Sequence, residues 1–268
     1  GLLTDCNLNP ARREGRMMDV EAVLELAMEL GYQIQVAGGE IYRVEESVSR
    51  ILRAYGVETG EVFAIPNCLI ASVHENGREA TRMRRIPDHG TDIWKLEAMN
   101  GLCRRLCAVP LPVKEARKEL QALVDGEKRY SFPALLLAHF AAAGLFALFF
   151  GAACQDALCA GACGAAIGLT LRLMDALGAN LLIRTMAGGG VSALLALGLC
   201  SLGLGQSVDL VTIGALMILV PCVALTNAVR DVMVGDMVSG ISKLSEAVLI
   251  GVANALVTGL ALGIARLF

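Results

Sequence analysis

The sequence predicts a mainly α membrane protein in two parts, a small α/β domain of helices plus a short antiparallel sheet, followed by a bundle of about five membrane-spanning helices. Two observations predict it. Fifty-five per cent of the 268 residues are hydrophobic, more than a water-soluble chain of this length carries, so a bilayer must serve as part of its solvent. Charge is also unevenly placed, because 18 of the 23 Lys and Arg residues precede Ser131 and five follow it. The expected boundaries are 1–18 for an N-terminal tail, 19–130 for the α/β domain and 131–268 for the membrane domain.

In the α/β domain, Val20, Val23, Leu24, Ala27, Leu30 and Ile34 recur at three and four residues, which predicts an amphipathic helix over 19–36 that ends at Ala37-Gly38-Gly39. A second helix over 40–55 places Ile41, Val44, Val48, Ile51 and Leu52 on one face and stops at Gly56. The period then shortens. Segments 61–65, 69–74 and 80–86 read as strands, punctuated by Pro66-Asn67 and by Asn76-Gly77, a strong hairpin signal. Two more helices, over 92–109 and 113–124, lead to the membrane.

Five apolar runs follow, at 132–153, 157–173, 181–204, 208–229 and 247–267, the second being the shortest. The first holds about twenty residues, enough to cross roughly 30 Å of hydrocarbon. Basic residues resist translocation, so the N-terminal domain is expected in the cytosol. The links around 154–156 and 205–209 hold no Lys or Arg, whereas 172–184 and 230–243 do, and an odd count puts the C-terminus outside. No secretory signal is expected before the first domain.

Several function classes are disfavoured. The nine cysteines lie in a reducing domain or among Ala and Gly in the spans, which argues against a disulfide framework. Cys103 with Cys107, and Cys159 with Cys163, lack the two further ligands that zinc needs, so no metal and no cofactor is expected. The first 130 residues hold 18 basic and 20 acidic side chains, a balance that gives phosphate no net positive field and argues against nucleic acid. No phosphate-cradling Gly-x-x-x-x-Gly-Lys-Ser/Thr loop occurs, and Ser192 has only His139 as a base, so neither a pump nor a protease, and no enzyme, is expected.

Chemistry concentrates in two places. At the fourth span, Pro221 removes a donor, so the Met217 carbonyl loses its helical partner. Thr226, Asn227, Arg230 and Asp231 follow, then Asp236, Ser239, Lys243 and Glu246. Asn227 stands three and four residues before Arg230 and Asp231, which lets its amide order both charges; the alternative is a cytosolic loop whose Arg230 and Lys243 only enforce topology. In the first domain, Tyr42, Arg43, Glu45 and Glu46, with Arg82, Arg84 and Arg85, form either a gating or ligand surface or simply a wet helix face and a charged strand edge. Arg84 and Arg85 also suit anionic lipid headgroups. Gly188-Gly189-Gly190 in the third span allows close helix packing or breaks the helix.

These residues resemble a known family. Leu219-Val220-Pro221, Leu225 to Asp231, Gly235-Asp236, Ser239-Gly240 and Glu246 are similar to the signature of threonine/serine exporters of the ThrE type, in particular their YjjP-like N-terminal half. Tyr42 to Glu46, Thr81-Arg82, Arg84-Arg85-Ile86 and Asn100 agree with the same family, over 20–268. Cys222-Val223-Ala224 departs from it, where the family usually has glycine and then proline.

The resemblance implies export of small polar metabolites, threonine and serine foremost, with succinate in split YjjP/YjjB-like pairs. It implies a bacterial cytoplasmic membrane location and either a second YjjB-like membrane half or a homo-oligomer, since the chain is expected to end after its first half. The expected mechanism is secondary transport with alternating access driven by the proton gradient, with Asp231, Asp236 or Glu246 titrating. A reading of another class is a membrane-anchored metabolite sensor or assembly subunit.

Overall fold

The computed structural model describes residues 10–57, 60–75, 78–87, 90–126 and 130–265. They build ten α-helices and three strands. The chain divides into two compact units, Gly1–Lys128 with Thr226–Lys243, and Arg129–Leu225 with Leu244–Phe268.

The first unit opens with α1 (Pro10–Val36) and α2 (Ile41–Ala54). Helix α1 begins inside the segment expected as a tail. Val20, Val23, Leu24, Ala27, Leu30 and Ile34 are all buried, as their spacing predicts, and α2 buries Ile41, Val44, Val48, Ile51 and Leu52. The two helices close tightly at Gly31, where a Cβ would stand 2.5 Å from Val48 Cγ2 and 3.0 Å from Leu69 Cδ2. Gly38 makes the turn between them at φ +86°, a conformation that glycine alone adopts without cost.

Strands β1 (Gly60–Ile65), β2 (Cys68–Glu75) and β3 (Arg78–Arg85) form one antiparallel sheet in that order. Strand β2 sends Leu69, Ala71 and Val73 into the helix core, as the two-residue period of a strand requires. The β2–β3 register runs from Cys68 opposite Arg85 to Glu75 opposite Arg78; the Asn76-Gly77 turn itself lies outside the described residues. Helices α3 (Ile93–Ala108) and α4 (Val113–Asp125) complete the layer. Asp92 caps α3 by accepting from the Lys95 N–H at 2.9 Å, satisfying one orphan donor.

The second unit contains α5 (Phe132–Phe149), α6 (Cys154–Ala176), α7 (Leu181–Ser201), α8 (Val208–Leu216) with a 3-10 turn at Met217–Leu219, and parts of α9 (Cys222–Val234) and α10 (Met237–Ala265). Four helices, α5, α6, α7 and α10, are long and apolar enough to cross a membrane. A fifth crossing requires α8 and α9 together, which bend by 55° at their break. The protein is thus a multi-pass membrane protein by the length and composition of these helices.

Three boundaries differ from the sequence reading. The second apolar helix is not the shortest, since α6 runs for 23 residues and exceeds α5 and α7. It takes in Asp156, which is buried and accepts the Gln206 and Ser207 N–H groups at 2.5 and 3.2 Å, and Arg172, whose guanidinium covers the Phe132 ring at 4.5 Å. The last helix starts at Met237, about ten residues before the apolar run, and leaves only a short turn after α9. Charge marks a loop only when it is solvated, and here partners elsewhere absorb it.

Small residues set the packing, because apolar helices in lipid associate through close contact rather than by escaping water. Gly161, Gly164 and Gly168 of α6 lie on α5: a Cβ on Gly164 would stand 2.5 Å from the His139 carbonyl oxygen, and one on Gly214 of α8 would meet the Ala147 backbone at 2.8 Å. Helix α7 runs unbroken through Gly188-Gly189-Gly190, and of the three it is Gly190 that packs closely, a Cβ there standing 3.0 Å from Val257 Cγ1. Gly164→Val and Gly214→Val are each expected to cost about 1–3 kcal/mol through overpacking. Melting of the purified protein in detergent at the wild-type temperature would mean that α5 is not gripped in this way.

Candidate functional site

The carboxyl-terminal part of α9 and the first turns of α10 belong to the first unit, and the charged residues singled out by sequence meet there. Gly235, at φ +107°, reverses the chain between the helices, and the Asp236 N–H bonds back to the Asp231 carbonyl at 2.9 Å. Gly240 then allows α10 to close on α9, because a Cβ there would stand 2.4 Å from Val232 Cγ2 and 2.9 Å from the Ala228 carbonyl oxygen.

This hairpin buries an ion pair. Asp231 has no exposed surface, and Lys243, 11% exposed, donates to its Oδ2 at 2.8 Å. The other carboxylate oxygen, Oδ1, is buried without a hydrogen-bond partner. A lone charge in such a place costs several kcal/mol, so the pair must form for the hairpin to close. Ser239 is buried beside it on the next turn of α10.

Asn227 and Arg230 reach in another direction. The Asn227 side-chain amide donates to the Gly38 carbonyl at 3.3 Å, and Arg230 pairs with Glu40, which is 10% exposed at its side chain. Glu40 also meets Arg43 at 2.6 Å, and Arg43 donates to the Tyr42 hydroxyl at 3.0 Å. Helix α9 therefore holds the α1–α2 turn through an amide and a three-residue charge chain. The expected ordering of Arg230 and Asp231 by Asn227 does not occur, because residues 230 and 231 stand about 100° apart on the helix and each finds a tertiary partner.

The remaining candidates distribute as follows. Glu45, half-buried, accepts the Ala64 N–H at 2.8 Å. Burial pushes its carboxyl above the ordinary 4.5, the Ala64 bond opposes this, and the nearby Asp236 charge raises it further. Glu46 pairs with Arg50 at 2.6 Å on the exposed side of α2. Arg84 pairs with Glu29 and lies 3.8 Å over the Tyr32 ring, while Arg82 approaches Glu21 at 3.5 Å and Arg85 is exposed. The three arginines thus edge the sheet beside α1 and do not join the α9 corner. Thr226 is exposed on α9, Glu246 is exposed on α10 within the second unit, and Pro221 sits at the α8–α9 break.

At that break Val220 is extended (φ −72°, ψ 124°), as the residue before a proline prefers. The Cys222 N–H turns to the Val220 carbonyl at 2.8 Å, so the helix breaks even with Cys222-Val223-Ala224 after the proline. Sequence reasoning passed over Glu40 as an individual site residue. Its signal was an acid directly behind a Gly-Gly stop, where the chain is too crowded for a freely solvated carboxylate. In the second unit, Ser192 Oγ has no hydrogen-bond partner and His139 Nδ1 contacts the Leu135 carbonyl at 2.8 Å, so the two do not form a nucleophile and base.

Two variants test the site. Lys243→Met is expected to cost about 3–5 kcal/mol by stranding Asp231, and Asp231→Leu with Lys243→Met to recover most of it; equal melting temperatures for the single and double variants would contradict a buried pair. For Glu45, a raised folded value means that the folded state holds the proton more tightly. Its contribution to stability is present below the unfolded value of 4.5 and is lost as pH rises through the folded one. Above pH 4.5, Glu45→Gln is expected to melt progressively higher than wild type, with the two curves converging at lower pH.

The threonine/serine exporter (ThrE) family model matches residues 25–265, which takes in both units and every residue of the corner. No curated protein and no solved structure matches the chain.

Proposed function

From membership of the threonine/serine exporter family, to which this chain belongs, we propose that the protein is one half of a secondary transporter that exports small polar metabolites, threonine and serine foremost, driven by the proton gradient. The observation that carries this reading is the Asp231–Lys243 pair. A carboxylate with no exposed surface, one free oxygen and a single cationic partner is a place where one proton changes the balance of a buried charge pair.

Protonation at Asp231 Oδ1 removes the charge that holds Lys243, which loosens the α9–α10 hairpin. Arg230, Asn227 and Glu40 tie that hairpin to the α1–α2 turn, so its state reaches that turn within the first unit. A bistable element biased by one proton is the minimum that gradient coupling needs. Asp236 and Glu246 are the other titrating candidates, and Ser239, Thr226 and Pro221 line the same stretch of chain.

In this reading the protein lies in the bacterial cytoplasmic membrane with its N-terminal domain in the cytosol, and the C-terminal end of α10 lies outside. It acts with a second membrane half, either a YjjB-like subunit or another copy of itself. Tyr42, Arg43, Glu45 and Glu46, with Arg82, Arg84 and Arg85, form the surface on which gating or a regulatory ligand acts.

The test is uptake of labelled threonine, serine and succinate into inverted membrane vesicles under an imposed proton gradient, with the second half co-expressed. Asp231→Asn is expected to reduce gradient-driven uptake about tenfold or more, the loss of ~1.4 kcal/mol of coupling, at equal protein content in the membrane. Arg230→Lys keeps a charge for Glu40 and is expected to retain more activity than Arg230→Gln. Uptake of none of the three solutes by wild type would transfer the assignment to a membrane-anchored sensor.

A further inference from the structure

Within the second unit, Ser192, Thr212, Asn254 and Thr258 are 0, 4, 7 and 7% exposed. Ser192 Oγ, Thr212 Oγ1, Asn254 Oδ1 and Thr258 Oγ1 are buried without hydrogen-bond partners. In a membrane helix a hydroxyl has an easy remedy, which is to donate to the carbonyl one turn back. Other hydroxyls of the same unit use it. Thr170 donates to Ala166 at 2.8 Å, Thr185 to Leu182 at 3.0 Å and Ser201 to Gly198 at 2.8 Å. Three hydroxyls that forgo it, and an amide oxygen that can only accept, need another partner in a segment where each unsatisfied group is costly.

Two of them meet at one glycine, and the other two lie about one helical turn away on α7 and α8. A Cβ on Gly189 of α7 would meet Thr258 Oγ1 at 3.5 Å, Leu216 Cδ2 at 3.6 Å and Asn254 Oδ1 at 3.8 Å. Asn254 and Thr258 are four apart on α10, Ser192 is three beyond Gly189 on α7, and Thr212 is four before Leu216 on α8. Residues at these spacings share a helix face. Helix α10 therefore brings two polar oxygens to a glycine whose open side accepts a methyl-sized group at ordinary contact distances, with Ser192 and Thr212 about one turn away on the same faces of α7 and α8.

The electrostatics select the sign of the occupant. All four atoms are neutral oxygens, and hydroxyls can turn their lone pairs inward. The carboxyl end of α8 reaches the same glycines, with Leu219 Cδ1 3.5 Å from a Cβ on Gly188. The α-helix gives way here to the 3-10 turn before Pro221, and the Cys222 N–H is given to Val220, so the negative pole of the helix dipole lies at this end. Neutral oxygens beside a negative half-helix end suit a single positive charge.

We propose that Ser192, Thr212, Asn254 and Thr258 form an intramembrane site for a compact monovalent cationic group, either the ammonium of a transported amino acid or a sodium ion. The ammonium form rests on the export reading above; the sodium form does not.

The test is binding of radiolabelled threonine and of radiolabelled sodium, each in choline buffer, to the purified full chain and to Gly189→Ala, Asn254→Leu and Thr258→Val. Wild type is expected to bind one probe, Asn254→Leu and Thr258→Val to bind it about tenfold more weakly or worse through the loss of one hydrogen bond to a charged group, and Gly189→Ala to weaken it by filling the space. Gly189→Ala removes no oxygen and meets only ordinary contacts, so it is expected to melt no lower than wild type while still crowding the site. Threonine binding identifies the ammonium, and sodium binding alone identifies the ion. Failure of both probes to bind wild type, or variants that bind as wild type does, overturns the site. Binding that is lost in the variants while vesicles show no solute flux leaves the site standing and overturns export.

Discussion

A carboxylate with no access to water has to be neutralised where it stands, and the α9–α10 hairpin is built around that requirement. Lys243 meets Asp231 only because Gly235 reverses the chain and Gly240 lets the helices touch. The attraction in such a site is strong, and so is the cost of taking both charges out of water. The net effect is a conditional contact that holds while both groups are charged and weakens when one is not. The same helix turn sends its neighbour Arg230 to Glu40, so the hairpin and the α1–α2 turn share one electrostatic system.

The second unit solves a different problem. Its helices expose apolar side chains outward, Leu137, Leu158, Leu194 and Leu260 among them, and gain little from hiding them from lipid. Cohesion comes from glycine, alanine and cysteine placed where backbones meet, as at Gly164, Gly214, Ala143, Ala147 and Cys163. Against that dry, close-packed background, a buried oxygen without a partner is conspicuous, and the broken α8–α9 segment adds the only kind of backbone polarity that such an interior tolerates. These departures from ideal packing fall on α7, α8 and α10.

Much of the fold was legible. The three- and four-residue spacing of Val20 to Ile34 and of Ile41 to Leu52 identified two helices whose buried faces match it, and short β-branched segments between turn signals identified the strands. Apolar length located the membrane helices to within a few residues except at α10, where Ser239 and Lys243 read as loop. Pro221 announced a helix break and the structure has one. What failed was the reading of charge: Asp156, Arg172 and Lys243 looked like solvated ends, yet each lies within a helix and is satisfied by a group that is remote in sequence.

Sequence by itself determined the family and the set of residues in which charge and amide are concentrated, because periodicity, apolar length and local motifs are properties of neighbours along the chain. Only the tertiary structure decided the pairings: Asp231 with Lys243, Arg230 with Glu40, Asn227 with the Gly38 carbonyl, and the meeting of Asn254 and Thr258 with Gly189. Burial and counter-charge depend on which helices meet, and no spacing rule within one helix reports the neighbour that another helix brings.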